Sequence, residues 1–340
     1  MDRSMAMAMG RPLGIQDSDI TLPLPLQYTD EQLTSVEPQI AAPFTAPSAN
    51  DTSTFIHVIK IRRLNATIYK TFHSVAHTTS NEDLETLQLQ CYGQLNEWLV
   101  TAPRYLLTTS MFQSTEWFQI AYHYAVLSLH RPSYAFPVPS FEALWLCADS
   151  SISLISSYAA LYAKNKVSYS FIALNSIFMA AISLLYSIRA SPFVRQELTK
   201  AVMETNINTC LSLFRGISDG REIAERCSAI VSRLGKVTLA LFNRPQISDD
   251  QVDMEFLSWF GLKSQHASLL STRLNAEPEF QTPWLQDEAA LPDPLSTPSV
   301  DGAWRDFFTQ GFDWEASAAM DFFPTAMQLL LLCGRPGYIR

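Results

Sequence analysis

Proline placement is the feature that most limits what this chain folds into. Residues 11–47 hold six of the 19 prolines, residues 48–277 hold another six, and residues 278–340 hold seven. The central 230 residues are therefore the regular structure. Only Gly93, Gly216, Gly220, Gly235 and Gly261 interrupt them, too few for the turns of a β-rich fold. Helices are the expected content.

Periodicity agrees. Over 81–100, Leu84, Leu87, Cys91, Leu95 and Trp98 follow steps of three and four, and Glu82, Asp83 and Glu85 occupy the first turn, where the helix dipole favours anions. Ile61, Leu64, Ile68 and Phe72 repeat the spacing over 54–74, with Arg62, Arg63 and Lys70 assigned to other faces. Further helices are predicted over 114–130, 140–163, 167–188, 194–215 and 223–242. Breaks are expected near Pro103, Pro132, Pro192, Gly220 and Pro245. The pattern predicts an all-α fold with about seven main helices, a single large domain followed by a disordered or loosely docked acidic tail. Three parts are expected: a Pro-rich leading segment over 1–50, a helical domain over 51–265, and a linker with an acidic-aromatic tail over 266–340.

The apolar stretch 167–188 runs without a charge and is long enough to cross a bilayer. Ser168, Asn175, Ser176, Ser183 and Ser187 gather on one side of a helix there, with Phe171, Leu174, Phe178, Ile182 and Leu185 on the other. A core helix is the expected reading, and no membrane association is expected. The opening MDRSMAMAMGRP lacks the long apolar core and cleavage site of a signal peptide, so the sequons at Asn50 and Asn65 are read as chance matches. Five cysteines, Cys91, Cys147, Cys210, Cys227 and Cys333, are odd in number and far apart, which favours reduced thiols over disulfides or a zinc site.

Charge is uneven. Residues 276–324 hold ten acidic residues against Arg305 alone, which accounts for the whole net charge of −9 and leaves the remainder neutral. The same segment carries nine aromatic rings, and Trp304, Phe307, Phe308, Phe312 and Trp314 are the candidate contact residues of an amphipathic activation segment. The carboxylates keep such a segment solvated while the rings dock in a partner's groove. A tail folded back on the helical domain is the competing account.

No catalytic constellation is found: the sequence has no glycine-rich phosphate loop, dinucleotide fingerprint or nucleophile elbow. His73 and His77 stand four apart, but no third metal ligand accompanies them; His123 and His130 are read as helix-face residues. No catalytic residue, cofactor or metal is expected.

Asp2 to Ile15 (DRSMAMAMGRPLGI), followed by Asp17-Ser18-Asp19-Ile20 and a Leu-Pro run, resembles the middle of the regulatory domain of fungal zinc-binuclear-cluster transcription factors. In that family a helix ending in Gly-Arg-Pro leads into an Asp-x-Asp-Ile segment. Tyr122-His123, Leu129-His130-Arg131-Pro132-Ser133 and Trp259-Phe260 are similar to later landmarks, so the resemblance spans roughly residues 2–265. Locally, Gly10 suits a left-handed helix stop, Pro12 prevents continuation, and Asp17 is placed to cap the next turn. Members usually begin with a six-cysteine zinc cluster beside a basic stretch, whereas the first cysteine here is Cys91.

The resemblance implies a nuclear transcription regulator, of the kind that controls a biosynthetic gene cluster. It would act through protein contacts with the transcription machinery or with a DNA-binding factor as dimer partner, and direct DNA binding is not expected of an acidic chain. Two alternatives stay open: a small-molecule-sensing helical effector domain, and a shortened form of a DNA-binding factor.

Overall fold

The computed structural model describes residues 2–29, 32, 50–74, 80–105, 108, 110–167, 170–218, 221–243 and 250–262. The described residues form ten α-helices, two short 3-10 turns and no strand beyond an isolated bridge between Thr29 and Asp51. The helices are α1 (Asp2–Ala8), α2 (Ser53–Phe72), α3 (Asn81–Val100), α4 (Thr115–His130), α5 (Phe141–Ala163), α6 (Phe171–Ala190), α7 (Pro192–Glu197), α8 (Lys200–Ser218), α9 (Glu222–Ala240) and α10 (Asp250–Trp259). The all-α expectation holds.

Serine sets many of the boundaries. Ser80, Ser114, Ser140, Ser170 and Ser191 each lie just before a helix and accept a hydrogen bond from the backbone N–H three residues on, satisfying one of the orphan donors of the first turn. The helices expected to begin at 114 and 140 therefore begin one residue later, with the serine outside as cap. The stretch expected as one helix over 194–215 is two: α7 ends at Glu197, Leu198 and Lys200 flank Thr199, and α8 starts at Lys200.

Helix ends are equally specific. Gly10 has φ 62°, the N–H of Arg11 donates to the Ala6 carbonyl at 2.8 Å, and that of Gly10 to Met7 at 3.4 Å, the paired bonds of a left-handed helix stop. Gly261, φ 80°, ends α10 in the same way, with Leu262 bonded to the Leu257 carbonyl at 2.9 Å. Asp17 departs from expectation: the residue before its 3-10 turn is Gln16, and the Asp17 carboxylate instead pairs with Arg3 at 2.7 Å and faces Arg63 at 3.8 Å. It ties α1 to α2.

Two apolar clusters result. One is built by α2, α3 and α4 around Ile61, Ile68, Phe72, Leu95, Trp98 and Phe118. The larger surrounds α6 with α5, α8, α9 and α10. Helix α4 feeds both, sending Phe118, Tyr122, Ala125, Val126 and Leu129 to the first and Ile120 and Leu127 to the second. Ala8 joins the second cluster, so the leading segment contributes to the core. Helices α5 and α6 are long and apolar enough to cross a membrane, but 94% of the α6 window is buried inside the protein, which leaves no face for lipid. The sequence pattern gave α6 a separate polar side; Asn175, Ser176, Ser183 and Ser187 are in fact buried with the rest, because neighbours pack on α6 from all directions. Ser168 lies outside the described residues.

Candidate functional site

The side chains predicted to contact partners, Trp304, Phe307, Phe308, Phe312 and Trp314, lie outside the described residues, as do His77 and Cys333. The most unusual chemistry within them lies where the two apolar clusters meet, among α2, α4, α5 and α6.

Spacing builds this place. Arg62 and Tyr69 stand seven apart on α2, and Tyr124 and Arg131 seven apart along α4 and its C-cap, so each pair shares one helix face. Cys147 and Tyr158, eleven apart on α5, again share a face, and Asn175 comes from the first turns of α6. The Tyr124 hydroxyl donates to Asn175 Oδ1 at 3.4 Å and lies within electrostatic reach of both Arg62 and Arg131. Arg62 in turn lies within electrostatic reach of Tyr124 and Tyr158, and Arg131 of Tyr124, Tyr69 and Cys147.

The sequence pattern set Arg62 apart from the apolar stripe of α2, and the structure leaves it half-buried outside that stripe. The core stripe of α2 runs through His57, Ile61, Asn65, Ile68 and Phe72, with Asn65 buried and Leu64 only partly so.

Burial governs the electrostatics. Desolvation pulls the Arg62 and Arg131 guanidinium groups below their ordinary range, and the polarisable phenols around them partly oppose it. The same desolvation pushes Tyr124 up, and Tyr158 and Cys147 up to about 12, so these three are neutral. Neither arginine has an ion-pair partner among the described residues, and Arg131 Nε and Asn175 Nδ2 are buried without a hydrogen-bond partner. No described carboxylate balances the two charges.

The other singled-out residues are structural. His57 donates from Nε2 to the Trp98 carbonyl at 2.8 Å, Trp98 Nε1 donates back to the His57 carbonyl at 2.9 Å, and the rings stack at 4.5 Å. His73 donates from Nε2 to the Ser128 carbonyl at 2.7 Å, and His123 bonds Gln119 at 3.0 Å. His130 is buried with both ring nitrogens unpartnered, and its ring meets that of Tyr92 in a T-shaped contact. His130 is thus an interior group and His123 a half-buried one on the same helix. Cys91, Cys147, Cys210 and Cys227 are free and buried, with thiols raised by desolvation and so poorly nucleophilic. Among the described residues no group of three potential metal ligands comes together.

Comparison with known proteins bears on this domain as a whole. Residues 1–119 match the fungal specific transcription factor domain. The chain is 28% identical over 191 residues to pyrimidine pathway regulatory protein 1 of Saccharomyces cerevisiae, which covers 55% of this chain and 21% of that protein. It is 25% identical over 284 residues to the positive regulator of purine utilization of Emericella nidulans, covering 71% of this chain and 26% of that protein. The chain thus spans about a quarter of the length of these relatives. No solved structure matches. Residues 1–119 of this all-helical chain are thus similar to the fungal specific transcription factor domain, and the chain is similar in sequence to two fungal regulatory proteins.

Proposed function

We propose that the chain is a nuclear transcription regulator that works through protein contacts. The observation that carries this reading is the match of residues 1–119 to the fungal specific transcription factor domain, within a helical fold whose similarity to two fungal regulators covers more residues than that match. Charge supports the mode of action. The net charge of −9 gives no attraction to a phosphate backbone, so promoter targeting falls to a DNA-binding partner, and the acidic-aromatic segment over 276–324 supplies the contact with the transcription machinery.

In this mechanism the carboxylates hold the segment open and the aromatic rings provide anchors, with the helical domain as the rigid body that pairs with the DNA-binding factor. The test is to fuse the full chain to an unrelated DNA-binding domain and read a reporter carrying that domain's site. Output that departs from the level of the DNA-binding domain alone supports the reading, and a fusion that is stable, nuclear and silent overturns it.

A further inference from the structure

Between α1 and α2 the stretch Ile20–Leu26 (ITLPLPL) holds apolar side chains out in solvent: Leu22 is 77% exposed, Leu26 58% and Ile20 38%. It is neither helix nor strand, and residues 21–25 form no backbone–backbone hydrogen bond among the described residues. Both ends are nevertheless tied down. At the leading end Asp17 pairs with Arg3 at 2.7 Å, and the Ile20 N–H donates to the Asp17 carbonyl at 3.2 Å. At the trailing end Thr52 Oγ1 donates to the Leu26 carbonyl at 2.9 Å, the Thr52 N–H to the Tyr28 carbonyl at 2.9 Å, and Gln27 Nε2 to the Asp51 carboxylate at 2.9 Å. The stretch is a strap anchored to α1 and to the residues that lead into α2.

Proline sets the shape of the strap. Pro23 and Pro25 hold their own φ near about −65°, and each excludes the α region for the leucine before it, so the backbone follows a polyproline II course. Three residues complete a turn of that helix, which gives the strap three edges. Leu24, on one edge, is half-buried against the domain, whereas Leu22 with Pro25 and Pro23 with Leu26 make two edges that are fully in solvent. The result is a preformed apolar ridge with solvated carbonyls.

We propose that this ridge docks in the aromatic-lined groove of a partner protein of the type that recognises polyproline II segments, with a lysine or arginine at the groove's rim. Two apolar edges fit the slots between groove rings, and the free carbonyls accept hydrogen bonds from groove tryptophan or tyrosine. Addition of the strap to a sheet edge fits less well, because Pro23 and Pro25 have no N–H to give a ladder. The rim charge follows from complementarity: residues 13–29 contain Asp17 and Asp19 but no lysine or arginine, and the exposed Asp19 carboxylate contacts the Ser18 hydroxyl at 3.2 Å. Anchoring at both ends removes most of the ordering cost that a loose Leu-Pro segment bears on binding. The proposal is independent of the transcriptional reading, because it is detected by binding and not by reporter output.

The probes are three isolated domains of this groove type, an SH3, a WW and an EVH1 domain, each isotope-labelled and titrated with the purified, unlabelled full chain. Saturable micromolar binding that shifts the indole signal of the groove tryptophan is expected with at least one of them. Leu22→Asp and Leu26→Asp are each expected to weaken it at least about tenfold, since either puts a charge on a buried edge of the ridge. Leu89→Asp, at a comparably exposed leucine on α3 (73%), is expected to leave affinity and Tm unchanged. Pro23→Ala with Pro25→Ala, which frees the backbone and restores two N–H groups, is expected to weaken binding as well. The proposal is overturned if no domain shows groove shifts, if binding survives Leu22→Asp combined with Leu26→Asp, or if the double alanine variant binds more tightly, the mark of strand addition. Sedimentation of the parent chain as a dimer that Leu22→Asp dissociates assigns the ridge to a second copy and overturns it too.

Discussion

Asp253 belongs to the most buried ion pair among the described residues. Its carboxylate on α10 pairs with the Nε of Arg189 at the end of α6, and the two side chains are 8% and 2% exposed. Removing the carboxylate takes a counter-charge from a buried guanidinium, whereas removing both members leaves mainly a packing problem. Asp253→Ala is therefore expected to lower stability by about 3–5 kcal/mol. Arg189→Met combined with Asp253→Leu is expected to recover most of it, and chemical denaturation of the three variants checks both signs. Nothing in the sequence pattern pointed to this pair, since residues 64 apart have no periodicity in common. Arg62 was missed for a related reason. Its position next to Ile61 reads as the polar flank of an amphipathic helix, and its half-burial comes from tertiary packing that leaves no local signal.

Helices were more legible than sites because their signals are local. The α3 boundaries follow directly from acidic residues in the first turn and a stripe of apolar side chains, while the split between α7 and α8 escaped because Leu198 and Thr199 break no pattern by composition. The same local reasoning gives a prediction for α3. Gly93 is exposed in mid-helix, and a Cβ there meets nothing within 4 Å. Gly93→Ala is expected to stabilise the protein by about 0.5–1 kcal/mol, read as a higher denaturation midpoint, because it removes backbone entropy from the unfolded chain without a clash. The α2–α3–α4 layer also sets a pH response. Burial lowers His57, His123 and His130 to about 4 from an unfolded value of 6.5. Between those values the unfolded chain binds protons that the folded chain refuses, so stability is full above pH 6.5, falls as pH drops, and is lost by about pH 4. Each histidine contributes on the order of 2–3 kcal/mol to that fall. Glu116, held down by Lys164, adds its loss only below its ordinary 4.5. A Tm series from pH 7.5 to 4.5 is expected to slope downward through this window, and His130→Leu to flatten the slope; a flat parent profile contradicts the assignment.

At the scale of the whole molecule, charge and regular structure are separated along the chain: the neutral part holds the helices, and residues 276–324 hold the entire net charge of −9 with nine aromatic rings. If that segment is the contact with the transcription machinery, its two residue classes do different work. Carboxylates act at long range through a screened field, with a Debye length of about 8 Å at physiological salt, so losing one changes little. An aromatic anchor buried in a partner's groove is worth about 2–4 kcal/mol, so losing one reduces occupancy by an order of magnitude or more. Fused to an unrelated DNA-binding domain, residues 276–324 are therefore expected to activate a reporter. Trp304→Ala with Phe308→Ala, four apart and on one face of an induced helix, is expected to abolish most of the output, and Asp306→Asn to leave it nearly intact. Equal sensitivity to the carboxylate would mean that charge, not anchoring, drives the contact. Output that survives the double aromatic change, or a fusion silent from the start, would instead favour a tail whose rings pack against its own helical domain, and limited proteolysis of the full chain would then find the segment protected.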